Sequence, residues 1–185
     1  MRRLILASSS PRRQELLAMM GLNFDVFSPQ VDECLRGSPR EVVMALALRK
    51  ASVAAAAFPA DFVLAADTLV VIDGQALGKP ADYADALRML RLLNGAWHEV
   101  HTGVCLIVDG RIQQEHAVTQ VLFTRMSEDE MAGYCRSGEP LGKAGAYAIQ
   151  GLGGMFIEQI CGSYTNVVGL PTALVRRMLK SENFL

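Results

Sequence analysis

The stretch Val63–Ile72 is apolar at every position except Asp67 and Thr68. A run of this kind suits a strand covered on both faces, which requires helices or a second layer on either side. A carboxylate in the middle of such a strand is costly unless it is paired or bound to metal. A structural salt bridge would satisfy Asp67. A catalytic or metal-binding carboxylate would satisfy it too, and is the reading favoured here, because strand-borne carboxylates beside a crevice suit such sites.

The surrounding sequence supplies the layers that this strand needs. Arg2–Ala7 reads as a short first strand. Ser10-Pro11 opens a helix that Gly21 stops, with Ser at the cap and Pro at the first helical position. Phe24 and Val26 mark a second strand. Ser38-Pro39-Arg40-Glu41 is a capping box at the head of a long helix running to about Phe58. Asp82–Leu93 is a helix, and Trp97–Val108 and Arg111–Phe123 are long strands. Ser127–Glu130 is a second capping box, opening a helix to about Arg136. Ala146–Ile149 and Phe156–Cys161 read as short strands, and Thr172–Lys180 as a closing helix. Asp73-Gly74 and Asp109-Gly110 are two-residue turn signals between apolar runs, so two hairpins are expected. Interleaved strands and helices together with hairpins predict an α/β fold with a mixed sheet flanked by helices. No repeat and no Pro/Gly/Ser linker divides the 185 residues, so a single domain over 1–185 is expected.

Charge and composition narrow the partners. With 18 Lys+Arg against 19 Asp+Glu, the net charge of −1 does not draw the whole molecule to nucleic acid or anionic lipid, and any basic site must be local. No basic stripe with interleaved aromatics is present, so no nucleic-acid partner is expected. No apolar run nears the ~20 residues of a spanning helix, so no membrane partner is expected either. Leu4–Ala7 is too short for the core of a signal peptide, about 7–15 residues. The four cysteines, Cys34, Cys105, Cys135 and Cys161, form no CxxC pair, which fits a cytoplasmic chain with reduced thiols.

Several segments carry chemistry. Ser8-Ser9-Ser10-Pro11-Arg12-Arg13 lies where a strand turns into a helix. Backbone N–H groups and the helix dipole favour an anion there, and hydroxyls and guanidinium forks add donors. Two cations in a first turn oppose the dipole, a cost that a phosphate would remove. An ordinary cap with two solvated arginines is the alternative. Lys50 sits among Val43, Leu46 and Ala47 on the long helix, where a lysine either snorkels to solvent or serves a site. Gly78-Lys79-Pro80 lacks the spacing and the Ser/Thr of a P-loop, yet Lys79 can still meet a phosphate as a point charge. Glu33, after the second strand, is either a solvated loop charge or a carboxylate for metal or water. Gln150, in Gln150-Gly151-Leu152-Gly153-Gly154, could hydrogen-bond a base edge or nothing. His98 and His101 fall on opposite strand faces and read as structural. Anion donors, two lysines and one or two carboxylates together describe a Mg²⁺-assisted polyphosphate site.

In order along the chain stand Leu6-Ala7-Ser8-Ser9-Ser10-Pro11-Arg12-Arg13, Val31-Asp32-Glu33, Arg49-Lys50-Ala51, Ala66-Asp67-Thr68, Gly78-Lys79-Pro80, His98-Glu99-Val100-His101-Thr102-Gly103 and Gly145-Ala146-Tyr147-Ala148-Ile149-Gln150-Gly151. In these motifs the chain resembles, end to end, the Maf family of nucleoside triphosphate pyrophosphatases. The resemblance implies an elongated mixed sheet related to the inosine triphosphatase type, with two lobes around a cleft. It implies hydrolysis of a nucleoside triphosphate to the monophosphate and pyrophosphate, with attack at the α-phosphorus. It implies Asp67 as general base, with Glu33, Lys50 and Lys79 at other catalytic positions. A divalent cation, Mg²⁺ or Mn²⁺, would sit on Asp67 and Glu33. Ser8, Ser10 and Arg13 would bind phosphate, and Arg12, Thr68 and Gln150 match the group acting on dTTP and UTP. The group acting on 7-methyl-GTP tends to carry Glu where this chain has Gln150. The Maf name is associated with inhibition of septum formation, so a nucleotide-sensing regulator of cell division is a second function class. A homodimer stands open beside a monomer.

Overall fold

The computed structural model describes residues 2–185. Among these residues seven strands form one mixed sheet: β1 (Leu4–Ala7), β2 (Asp25–Phe27), β3 (Phe62–Ile72), β4 (Gln75–Leu77), β5 (Trp97–Val108), β6 (Arg111–Phe123) and β7 (Ile157–Cys161). The strand order is β2-β1-β3-β5-β6-β7, with β4 paired to β3 off this path. β1 runs parallel to both β2 and β3, whereas β4 is antiparallel to β3 and β7 to β6. The helices are α1 (Pro11–Met19), α2 (Pro39–Ala57), α3 (Tyr83–Leu93), α4 (Glu128–Arg136), α5 (Tyr164–Val168) and α6 (Thr172–Ser181). The expected mixed α/β architecture is thus present.

Local chemistry accounts for most of the boundaries. In both capping boxes the Ser hydroxyl accepts from the backbone N–H three residues on, and the Glu at that position reaches back to the Ser backbone N–H. Asp73-Gly74 and Asp109-Gly110 all have positive φ, the backbone of the two-residue turns that match strand twist. One expectation fails. Ala146–Ile149 is not a strand: Ala144–Ala146 is a short 3₁₀ turn in which Gly145 and Ala146 take φ of 68° and 61°. Left-handed residues cannot continue a pleated ladder. The brief β4 completes the hairpin expected at Asp73-Gly74, whereas α5 had no sequence signal long enough to announce it.

The chain divides into two compact units. One gathers the residues up to Asp67 with Thr102–Ala117 and Gly169–Leu185, and the other gathers Thr68–His101 with Val118–Val168. In the first, Ala47, Ala51 and Ala54 of α2 pack at helical spacing against Ile5, Val63, Ala65 and Cys105. Small side chains let the helix lie close to the sheet, and one position on β5 makes that approach closer still. A Cβ on Gly103 would overlap the carbonyl oxygen of Val43 and stand 2.8 Å from the amide nitrogen of Met44. Gln114 Nε2 donates to the Met44 carbonyl at 2.8 Å, tying β6 to the same turn of α2. In the second unit the core is built on Val70, Met89, Leu90, Phe123, Met131 and Tyr147. His98 lies within it, edge-on to Phe123 and Tyr147, with its Nε2 2.8 Å from the Tyr147 hydroxyl. Burial pushes the His98 pKa down to about 4.

Because the Gly103 contact is backbone against backbone, Gly103→Ala should lower unfolding free energy by at least about 2 kcal/mol. Gly78→Ala, at a position with open space around the added carbon, should change it by less than about 0.5 kcal/mol. Urea midpoints of the two variants check this, and equal midpoints would refute the close-approach account.

Candidate functional site

The first unit brings five of the sequence-selected residues onto one spot. The charged residue in the interior of β3 is Asp67, whose side chain is 13% exposed. α2 faces it with Lys50, which is buried at 9% exposure. The Lys50 ammonium donates to Asp67 Oδ1 at 2.6 Å and stands 2.7 Å from Glu33 Oε1. Lys50 therefore does not snorkel to solvent. Its long arm runs down the apolar face of α2 so that one cation satisfies the carboxylate inside the strand. Glu33 is not a wholly solvated loop charge, although its side chain keeps 53% exposure.

The segment from β1 into α1 supplies the cationic side of the site. Ser8 is buried, and its hydroxyl accepts from the Ser10 backbone N–H at 3.2 Å. Arg13 Nη1 donates to the same hydroxyl at 3.2 Å, and Arg13 Nε donates to the Gly169 carbonyl at 2.8 Å. The guanidinium is thus held from two sides by partners far apart in sequence. Burial lowers the Arg13 pKa most, the positive charge of Arg12 adds to that, and the carboxylates of Asp67 and Glu33 oppose it. Burial also lowers the Arg12 pKa, with Glu15 opposing. Neither arginine is the solvated surface charge that an ordinary cap would leave. Ser10 caps α1 through its backbone without spending its hydroxyl on the cap. The first turn of α1 carries no acidic residue, so no side chain of that turn offsets the positive end of the helix dipole.

Thr68, Lys79 and Gln150 belong to the second unit, so the Lys50 centre is built without them. Thr68 is half-buried, and Lys79 and Gln150 are exposed. The Gly145 backbone N–H donates to the Gly78 carbonyl at 3.1 Å, which anchors the loop carrying Lys79. His101 Nε2 lies 3.0 Å from Glu99 Oε2, and His98 is spoken for by Tyr147. Among the described residues no group of three or more His, Cys, Asp or Glu side chains is arranged to hold a metal ion. No helix of the described residues is long and apolar enough to cross a membrane.

Sequence reasoning missed the Gly169 carbonyl, since a backbone acceptor 156 residues from Arg13 leaves no local signal. It also missed Glu139 and Tyr134, whose carboxylate and hydroxyl are hydrogen-bonded at 2.7 Å. Glu139 lies in Gly138-Glu139-Pro140, a segment that reads as turn and nothing more.

A family model described as Maf-like protein matches residues 3–182. A relative from Pelotomaculum thermopropionicum, named dTTP/UTP pyrophosphatase, is 47% identical over 100% of this chain and 98% of its own. Relatives of the same name from Symbiobacterium thermophilum and Bacillus cereus are 49% and 45% identical, over 97% and 99% of this chain and 93% and 97% of theirs. Among solved structures, that of the Staphylococcus aureus Ham1 protein is similar with a TM-score of 0.47 at 15% identity, over 66% of this chain and 72% of that one.

The geometry separates two substitutions by stability. Lys50→Met leaves Asp67 within the strand without its nearest cation and should cost on the order of 3 kcal/mol. Asp67→Asn leaves Lys50 on Glu33 and retains an amide oxygen for it, and should cost no more than about 1.5 kcal/mol. Urea unfolding ranks the two, and the reverse order would contradict the reading of Lys50 as the ion that makes Asp67 tolerable.

Proposed function

We infer that this chain, which belongs to the family of Maf-like proteins, is a nucleoside triphosphate pyrophosphatase that hydrolyses dTTP and UTP to the monophosphate and pyrophosphate. One observation in the fold carries the reading. A carboxylate on a buried strand is held by a lysine, beside an arginine locked in place at the N-terminus of a helix. The names of relatives at 45–49% identity over nearly the whole chain support the same activity and the same two nucleotides.

The residues divide the work as follows. Arg13, fixed by Ser8 and Gly169, offers a guanidinium whose orientation costs nothing when the polyphosphate arrives. The N–H groups of the first turn of α1, the hydroxyls of Ser8 and Ser10, and Arg12 add to the same anion site. Asp67 takes the proton of the attacking water, with Lys50 orienting the carboxylate through the 2.6 Å bond. Water adds at the α-phosphorus, the α–β anhydride bond breaks, and pyrophosphate leaves with the electron pair. Arg13 and Lys79 stabilise the charge that gathers on it. Thr68 and Gln150 recognise the base, and the Gln150 amide offers both a donor and an acceptor, as the edges of uracil and thymine require.

A divalent cation, Mg²⁺ or Mn²⁺, fits the donor set. Glu33 and Asp67 are two hard oxygen donors gathered at one spot, with the point between these two oxygens taken by the Lys50 ammonium. One or two carboxylates, completed by phosphate oxygens and water, is the hard-oxygen environment that Mg²⁺ takes. Glu33 and Asp67 would hold the ion, and when bound it would neutralise phosphate charge and lower the pKa of water. The substrate pool and four cysteines without a disulfide support a cytoplasmic location.

Two outcomes check the proposal. Asp67→Asn keeps the shape of the side chain while removing its charge, and should reduce kcat on UTP by at least about 10²-fold. A rate near wild type would remove Asp67 from the chemistry. In a panel scored for pyrophosphate release, dTTP and UTP should exceed ATP, GTP and 7-methyl-GTP, because a wrong base leaves buried polar groups unpaired at about 1–3 kcal/mol each. A preference for 7-methyl-GTP would overturn the pyrimidine assignment and leave the pyrophosphatase assignment standing.

A further inference from the structure

The loop carrying Gln150 is organised by one carboxylate that the proposed chemistry does not use. Glu139 follows α4, and its Oε1 accepts from the Tyr134 hydroxyl at 2.7 Å and from the Gly153 backbone N–H at 2.9 Å. Its Oε2 accepts from the Leu152 backbone N–H at 2.9 Å. The Tyr134 hydroxyl oxygen in turn accepts from the Ala148 backbone N–H at 3.2 Å. The Gly151 N–H closes a turn onto the Ala148 carbonyl at 3.2 Å. The chain on either side of Gln150 is therefore tied to one Tyr134–Glu139 pair, with Gln150 exposed at the apex.

The sequence is shaped to this wrapping. A Cβ on Gly151 would overlap Glu139 Oε2, and one on Gly153 would stand 2.5 Å from the Tyr134 hydroxyl. Only glycine lets the backbone close on the pair at both places. Lys143 Nζ donates to the Glu139 backbone carbonyl at 2.6 Å and fixes the residue's own main chain. Burial by itself would raise the Glu139 pKa, but the Gly153, Tyr134 and Leu152 donors outweigh it and the pKa lies below the usual glutamate value. Burial and the bond to Glu139 push the Tyr134 pKa up. The pair is therefore a neutral phenol on an anionic carboxylate, the stronger, charge-assisted kind of hydrogen bond.

We propose that Glu139 is a positioning residue for base selection: with Tyr134 it holds the Ala148–Gly153 backbone in the one conformation that presents the Gln150 amide to the pyrimidine edge. This rests on the reading of Gln150 as the base contact. A preorganised amide discriminates because no loop ordering is charged against the correct base, whereas a loose one adapts to several bases.

The test is a double-mutant cycle on the purified chain, measuring kcat and KM for UTP and for ATP. Glu139→Gln keeps the size but turns an N–H against a loop N–H. It should raise KM for UTP about tenfold, lower the UTP-over-ATP ratio of kcat/KM by a similar factor, and leave kcat at saturating UTP within about threefold. Tyr134→Phe keeps the ring packed edge-on against Phe156 and should shift the ratio in the same direction by less. It carries the test if Glu139→Gln does not fold. In a Gln150→Ala background neither substitution should lower the ratio further, because the amide they position is gone. Three results would overturn the inference: a fall in kcat with KM and ratio unchanged, which marks a structural role only; additive effects on the ratio in the cycle; or a ratio that neither substitution moves although Gln150→Ala does. If Gln150→Ala itself leaves the ratio unchanged, the base reading falls, and this inference falls with it.

Discussion

The ammonium of Lys50 stands between Asp67 and Glu33, at 2.6 and 2.7 Å, and this contact reconciles two demands that otherwise conflict. A strand covered on both faces has to exclude charge, and the proposed chemistry has to put a carboxylate in its middle. The lysine resolves the conflict because its four-carbon stem belongs to the apolar face of α2, while its tip carries the charge that Asp67 needs. Everything that places α2 then bears on the site. The alanines at positions 47, 51 and 54 keep the helix close to the sheet, and the bare backbone of Gly103 lets the Val43 turn come closer than a side chain would allow. A glycine in β5 thereby helps set where α2, and with it Lys50, lies against β3.

The cationic side is built by the same economy. Arg12 and Arg13 oppose the dipole at the start of α1, yet both are half-buried rather than fully solvated, and burial lowers the pKa of each. A helix start that holds two arginines and no acidic residue is poorly balanced until an anion arrives. The carboxylates of Asp67 and Glu33 temper this at Arg13, so its charge is not wholly uncompensated before an anion binds.

Much of this was legible in the sequence, and the reason lies in the range over which each signal acts. The Ser38 and Ser127 capping boxes, the Asp-Gly turns and the apolar run around Asp67 are local devices, so they located α2, α4, the hairpins and β3 within a residue or two. Ala146–Ile149 was misread because its composition suits a strand while its backbone turns left-handed at Gly145 and Ala146, a choice made by packing and not by local preference. In the site, a carboxylate within an apolar strand and a lysine on an apolar helix face each announced an unmet need. That the two meet each other is a property of the fold. The Gly169 carbonyl on Arg13 and the Tyr134–Glu139 pair under the Gln150 loop had no sequence signal at all, since any residue has a carbonyl and any turn can hold a glutamate.

The central claim is that this centre cleaves the α–β anhydride bond of a pyrimidine nucleoside triphosphate. ³¹P NMR of UTP incubated with the purified chain and Mg²⁺ tests it most directly. The account predicts UMP and pyrophosphate appearing together in equal amounts from the first turnover. Accumulation of UDP with orthophosphate, or UTP that binds and remains intact, would contradict it.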